Sequence, residues 1–185
     1  MKQLIVISAP SGAGKTTITK RILAAHPNEL TFSISATTRS MREGEREGVD
    51  YYFLTKEDFL KKIKDNDLIE YEEIFGNYYG TLISEIDRAK SAGKTLLFDI
   101  DVKGGISIHS RYPDHTLLIF IAPPSLEVLG ERLTKRGSET KEIIDRRLAR
   151  AEMEMAMASV YAHIVVNDDL DTAVAEVEAL ISAEN

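Results

Sequence analysis

The residues best placed to do chemistry begin at position 8, where SAPSGAGKTT follows the apolar run LIVI and precedes ITKRILAAH. A phosphate-binding loop needs Gly, four residues, Gly-Lys and then Ser or Thr, set between a strand and a helix. Gly14, Lys15 and Thr16 meet that pattern, and Ala9 stands where the first glycine belongs. Gly12 and Gly14 let backbone N–H groups turn inward around phosphate oxygens at a helix N-terminus. The stretch Ala9, Pro10, Ser11, Gly12, Ala13, Gly14, Lys15, Thr16, Thr17 is therefore expected to hold a nucleoside triphosphate. Lys15 would reach the β- and γ-phosphates, and the Thr16 hydroxyl would ligate Mg²⁺. The plainer alternative is a Gly-rich turn that caps a helix and leaves a lysine exposed. Such a loop identifies a phosphoryl donor and is silent about the acceptor.

Other stretches bear on the acceptor. TTRSMREGE carries Arg39 and Arg42 three residues apart, a spacing that can set two guanidinium forks around one phosphate, although a solvated basic loop reads the same way. Glu70 lies in the strand-like LIEYEE, where alternation can turn one acid inward; a lone glutamate in a strand more often faces water. TLLFDID is an apolar strand ending in Asp99 and Asp101, where phosphate-loop proteins keep an acid near Mg²⁺, directly or through water. A strand-end acid can equally cap the next helix. On the charged stretch 139–156 an apolar line runs through Ile144, Leu148 and Met155; Arg147 lies beside it, while Arg146 and Arg150 are expected to point farther away.

These residues need a frame. LIVIS (4–8), TLLFDI (95–100), TLLIFIA (116–122) and HIVVN (163–167) are continuous apolar runs, as expected of strands covered on both faces. Helical patterns follow at 15–25, 103–111, 125–135 and 170–183, with Ser125 as an N-cap and Gly93 ending a helix over 82–92. The expected fold is α/β, a three-layer core around a parallel sheet. Residues 35–94 break the rhythm: DYYFLT and LIEYEEIFGNYYG suggest antiparallel strands around a helix over 56–65, whose Thr55 and Asp58 resemble a capping box. This segment is expected to be an inserted subdomain. A charge-rich helical stretch, 132–157, is the second departure, with Gly137 as a hinge.

Composition narrows the classes. The 185 residues suit one domain with small appended parts, and 43% apolar with 29% charged residues is ordinary globular composition. Without cysteine the chain makes no disulfide, thiolate nucleophile or Cys-ligated metal site. His26, His109, His115 and His163 have no close metal spacing. A net charge of −7 argues against broad nucleic-acid binding, and the two local basic clusters fit small anions better than a polymer. No apolar run approaches the roughly 18 residues of a membrane helix, and the N-terminus is too polar for a signal peptide, so a cytoplasmic location is expected.

SAPSGAGKTT, TTRSMREGEREGVDYYF, IEYEEIFGNYYGT, FDIDVKGG, IAPPS and VVNDD occur in the order found in guanylate kinases, and this resemblance spans about residues 3–183. Ala9 for glycine is a variation that the family shows, whereas Lys103 stands where the family often has glutamine. The resemblance implies transfer of a phosphoryl group from ATP to GMP, with Mg²⁺ and with dGMP left open. It implies a core of about 1–34, 95–125 and 160–185, a GMP-binding subdomain of about 35–94 and a lid of about 126–159. Arg39, Arg42, Tyr51 and Tyr79 would grip the acceptor phosphate. Ser35, Glu70, Thr81 and Asp101 would read guanine, with Asp99 near the acceptor and the ion. Thr81 is also a candidate N-cap for the helix at Leu82. Arg136 and Arg147, with Arg132 a weaker candidate, would close over the transferring group, and Asn167 and Asp168 would line the adenine side. Lys15, Arg39, Arg136 and Arg147 are thus the expected catalytic set. Two rivals stay open: an interaction module of the same fold without catalysis, and a related kinase for another phosphorylated acceptor. Oligomeric state is not legible in the sequence.

Overall fold

A computed structural model describes residues 2–74, 76–135 and 140–184. Five parallel strands form the central sheet, in the order β2 (Leu30–Phe32), β7 (Thr95–Asp99), β1 (Leu4–Ser8), β8 (Thr116–Ala122) and β9 (His163–Val166). Every residue of β1 is buried, because side chains alternate between two covered faces. Ile5 and Ile7 meet Ile18 and Ile22 of α1 (Lys15–Ala25) and Val177 and Ile181 of α7 (Leu170–Glu184). Leu4 and Val6 point the other way, toward Val102 and Ile108 of α4 (Val102–Arg111) and Ala89 of α3 (Ser84–Ser91). The runs of β1, β7 and β8 are thus strands covered on both faces of a three-layer core, as expected, whereas β9, at the sheet edge, leaves Ile164 and Val166 exposed and is not covered on both faces as the sequence pattern suggested.

β1 sits between β7 and β8, so the crossovers that reach its two neighbours lie on opposite sides. A crevice opens beyond the carboxyl ends of strands at such a switch point. Ser8, Asp99 and the segments that follow them lie at its floor.

The insertion is a four-stranded sheet in the order β4 (Tyr52–Phe53), β3 (Ser35–Thr37), β6 (Asn77–Leu82) and β5 (Leu68–Ile74). Phe59 of α2 (Lys56–Lys64) is buried with Ala36, Leu68 and Leu82, giving the insertion a core of its own. Thr55 caps α2, its hydroxyl accepting from the Asp58 N–H at 3.0 Å. β5 and β6 are antiparallel, but β4 runs parallel to β3, contrary to the expected all-antiparallel arrangement. The three-residue strands β2 and β3 were absent from the expected elements. The helix expected at 82–92 is α3, which begins at Ser84, so Thr81 is a strand residue and not its N-cap. Gly93, at φ +64°, does end that helix: its N–H donates to the Lys90 carbonyl at 3.0 Å.

The remaining helices, α5 (Leu126–Lys135) and α6 (Lys141–Ala156), pack through Leu129, Leu133 and Ala151, with Leu126, Ile144 and Leu148 at the margin. The Val128 N–H donates to the Ser125 hydroxyl at 3.2 Å, the expected cap of α5. Gly137 lies outside the described residues.

One buried carboxylate ties the insertion to the core. Glu85, 1% exposed, accepts from the Ile34 N–H (2.7 Å), the Tyr52 hydroxyl (2.9 Å) and Arg88 Nε and Nη2 (2.9 and 2.7 Å). Arg88 also donates to Thr31 Oγ1 and the Phe32 carbonyl of β2. Burial alone would raise the Glu85 pKa, but Arg88, the Ile34 N–H and the Tyr52 hydroxyl outweigh it and hold the carboxyl below its ordinary value. A lowered folded pKa gives stability that is present above the unfolded value and lost as pH falls through the folded one. Glu85→Ala should cost about 3 kcal/mol in urea denaturation at pH 7. The gap between wild type and Glu85→Gln should narrow as pH is lowered below the ordinary carboxylate range.

Candidate active site

The Gly-rich loop forms because its backbone goes where only glycine goes easily. Gly12 and Gly14 both have φ +98°, in the left-handed region. A Cβ on Gly12 would lie 2.8 Å from Leu133 Cδ2, and one on Gly14 would collide with Asn167 Nδ2. The loop turns through the Ala13 N–H, which donates to the Pro10 carbonyl at 3.0 Å, and α1 starts at Lys15. Its first-turn N–H groups face the crevice with the positive end of the helix dipole.

Lys15 Nζ forms an ion pair with Asp99 and donates to the Ile100 carbonyl at 3.2 Å. That contact follows from register, since Ile7 of β1 lies opposite Asp99 of β7. Asp99 therefore sits beside the loop lysine. Asp101 caps α4, accepting from the Gly104 N–H at 2.8 Å, so the plain helix-capping reading holds for this residue.

A cavity of about 780 Å³ opens over the loop, roofed by α6 through Ile143, Arg146, Arg147, Arg150 and Glu154. Residues 143, 147, 150 and 154 form one helical face, with Ile144, Leu148 and Ala151 packed on α5 or buried behind it. Arg147 faces the cavity as expected, but Arg146 and Arg150 face it too, which corrects their expected outward placement. Arg150 donates to Glu154 Oε1 at 2.8 Å and to Asp101 Oδ2 at 3.3 Å. The i,i+4 spacing of Arg150 and Glu154 was the available signal for that pair. Arg136 lies outside the described residues. Arg132 reaches the Asn167 carbonyl at 2.9 Å.

Asn167 is buried, and its amide donates to the Ala13 carbonyl at 2.6 Å, bracing the loop from behind. Asp168 is exposed at the same turn, and Asp169 caps α7 through the Thr172 N–H at 2.8 Å.

Across the crevice the insertion presents a second set. Register places Ser35 opposite Thr81, Thr81 opposite Glu70, and Thr37 opposite Tyr79. The β5–β6 ladder shifts between Leu68 and Glu70, so Ile69 turns into the main core. The Thr81 hydroxyl donates to Glu70 Oε1 at 2.7 Å. Glu70 Oε2 and Asp101 Oδ1 converge at Gly104, where a Cβ would lie 3.2 and 3.1 Å from them. Burial pushes the Glu70 carboxyl up to about 7, the Asp101 charge adds to the rise, and the Thr81 hydroxyl opposes it. Ser35, Glu70, Thr81 and Asp101 are thus brought together.

Nearer the mouth, the Arg39 guanidinium lies 5.3 Å from the Tyr51 ring centroid, and the Tyr51 and Tyr79 rings meet edge to face at 6.3 Å. Burial raises the Tyr51 hydroxyl above its ordinary range. Arg42 is exposed on the loop that follows, and its backbone N–H is engaged by Glu45 at 2.7 Å. Lys103 is exposed at the start of α4.

The sequence reading missed Tyr161. This buried residue places its hydroxyl 2.8 Å from Ser8 Oγ and 3.1 Å from the Val102 carbonyl, while the Ser8 hydroxyl donates to the Asp101 carbonyl at 3.1 Å. Burial pushes that phenol up to about 12, so it stays protonated while it joins β1 to the start of α4.

With a phosphate loop facing a half-buried carboxylate across one crevice, the chain also matches a known family over nearly its whole length. The family profile described as guanylate kinase matches residues 1–184. The chain belongs to the guanylate kinase family. Guanylate kinase of Chlorobium chlorochromatii is 52% identical over 179 residues, 97% of this chain and 94% of the relative. That of Porphyromonas gingivalis is 46% identical, covering 98% and 97%. The crystal structure of guanylate kinase from Anaplasma phagocytophilum superposes with a TM-score of 0.74 at 30% identity, over 99% of this chain and 86% of that one. The SH3-kinase fragment of tight junction protein 3 shares the fold, with a TM-score of 0.56 at 13% identity over 99% and 57%. Family membership makes this chain a transferase that phosphorylates GMP with ATP. Among the described residues, no helix is long and apolar enough to cross a membrane.

An ionised Glu70 can accept from guanine N1–H and the 2-amino group, whereas the protonated acid loses an acceptor. Because its pKa is raised, the competent form is lost as pH falls through about 7. If Glu70 is the residue that reads guanine, KM for GMP rises about tenfold between pH 7.5 and 6. Steady-state kinetics of wild type against Glu70→Gln, which does not titrate and should show a flatter profile, checks this.

Proposed function

We propose that the two faces of the crevice divide the reaction, the loop at 9–17 holding ATP and the insertion holding GMP. The observation that carries this reading is the half-buried Glu70, held by Thr81 and set beside Asp101. Guanine offers two donors on the edge that meets a carboxylate, and adenine offers none there. Leaving a buried carboxylate unpaired costs about 1–3 kcal/mol or more, enough to reject AMP. Ser35 completes this edge, and Arg39, Arg42, Tyr51 and Tyr79 take the acceptor phosphate.

On the donor side Lys15 and the loop N–H groups take the triphosphate, and Asn167 with Asp168 flanks the adenine. Mg²⁺ would be held by the Thr16 hydroxyl, an oxygen donor that lines the cavity over the loop, with Asp99 as a contact through water and phosphate and water oxygens supplying the rest. When bound, that ion neutralises charge on the β- and γ-phosphates. Arg147, with Arg146 and Arg150 on the same roof, offsets the charge that spreads over the equatorial oxygens, and Arg136 is proposed to share that task from outside the described residues. An acceptor phosphate is already ionised at neutral pH, so no strong base is required. The chain's remaining task is to align the two phosphates and exclude water. These free nucleotides and the cysteine-free chain suit a cytoplasmic setting.

ADP release with ATP and Mg²⁺ should be rapid with GMP and slow with AMP, CMP, UMP or no acceptor. Release independent of the acceptor would overturn the guanine assignment. Lys15→Ala should lower turnover by about 10²-fold or more while calorimetry shows GMP affinity within about twofold of wild type. An equal loss of GMP affinity would overturn the division between the two faces.

A further inference from the structure

Glu45 has no part in the assignments above, yet it forms the tightest contact of the phosphate-gripping loop. A guanidinium has five N–H groups in two forks, one end-on between Nη1 and Nη2 and one side-on between Nε and Nη2. Arg39 gives Nη1–H to Glu45 Oε2 at 3.0 Å and Nη2–H to Glu45 Oε1 at 2.7 Å, which uses the end-on fork. The second Nη1–H goes to the Ser40 carbonyl at 2.7 Å. By this count Nε–H and the outer Nη2–H are the donors that Glu45 and Ser40 leave, and the Tyr79 hydroxyl, itself in the set that faces the acceptor phosphate, is the other side-chain partner of Arg39. The Tyr51 and Phe53 rings lie 5.3 and 5.8 Å from the guanidinium carbon.

The carboxylate is itself held in place. Glu45 Oε2 accepts from the Arg42 N–H at 2.7 Å, and the Glu45 N–H donates to the Arg42 carbonyl at 3.1 Å, closing a turn. The Arg39 N–H is anchored on Thr37 Oγ1 at 3.1 Å. The two charged side chains are only 14% and 19% exposed. A carboxylate that merely occupied the phosphate seat would have to leave with its main-chain bond broken, and Arg39 would lose both bonds of its end-on fork.

We infer that Glu45 is a positioning residue for the acceptor phosphate: it grips Arg39 by the end-on fork and so presents the side-on fork to GMP. This rests on the reading above that Arg39 binds that phosphate. Arg39 then pairs with two anions at once, a fixed one of the chain and a transient one of the substrate. Bidentate geometry permits this for arginine and not for lysine.

The test is a double-mutant cycle on Arg39 and Glu45, reading KM for GMP and for ATP, kcat and melting temperature. Glu45→Gln sets an N–H₂ against an arginine N–H, and it should raise KM for GMP about tenfold with KM for ATP within about twofold. Glu45→Asp keeps the charge but draws the fork back by one methylene, and it should fall between the two. It also serves should the Gln variant not fold. Combined with Arg39→Ala, Glu45→Gln should add nothing further, since its effect passes through Arg39. An unchanged or lowered KM for GMP in Glu45→Gln, or fully additive effects, overturns the inference. Arg39→Ala with unchanged KM for GMP overturns the phosphate assignment and this inference with it. Impairment by Arg39→Ala alone, with Glu45→Gln unimpaired, overturns only the role of Glu45.

Discussion

The parallel pairing of β1 with β7 is the constraint on which the site depends. Four residue pairs, from Leu4 with Leu96 to Ile7 with Asp99, set the two strand ends level. A slip of one residue would turn every side chain of β1 to the other face, placing Ile5 and Ile7 where Leu4 and Val6 now pack. The same register brings Asp99 to Lys15 and starts α4 where its capping acid, Asp101, can reach toward Glu70. Chemistry at the crevice is therefore secured by burial several residues away. Tyr161, Ser8 and the Asp101 carbonyl lock the same level from the second face of the sheet.

The cations of the site share one electrostatic arrangement. Lys15 faces Asp99, Arg39 faces Glu45, and Arg150 faces Glu154 and Asp101. On a chain with a net charge of −7, these partners keep positive groups extended toward the crevice without gathering an uncompensated basic field. An incoming polyphosphate therefore meets side chains already oriented, and less ordering entropy opposes its binding. The individual pairs are partly exposed and contribute little to stability, so orientation is their main effect.

How much of this was legible in the sequence depended on the range of the interaction. The phosphate loop could be read because its determinants are contiguous, and the caps at Thr55, Gly93 and Ser125 because a cap is a contact over three residues. β2 and β3 were missed because three residues carry almost no periodicity. β4 was assigned the wrong direction because a two-residue strand has no pattern at all. Asn167 bracing Ala13, and Tyr161 reaching Ser8, span more than 150 residues and have no local signature. The additional helix-cap reading of Thr81 failed because the helix begins later, at Ser84, and its hydroxyl is taken by a strand partner whose position depends on the shift at Ile69. Arg150 was placed outside the cleft because an apolar line on a helix does not say which flank meets the cavity.

The insertion has its own small core, built on Phe59, and enters the main sheet through a short link at Ser33 and Ile34. Ser35, Glu70 and Thr81 lie on this body, the phosphate loop lies on the other, and Asp101 reaches the first set from the start of α4. Selection on acceptor choice can then act on one packing unit while the donor machinery stays intact. A protein so divided is open to recombination: an insertion from a relative, joined after β2 and before α3, would carry all but one of its base-facing residues as a cassette, and the carboxylate of Glu85 marks the seam that such an exchange must preserve.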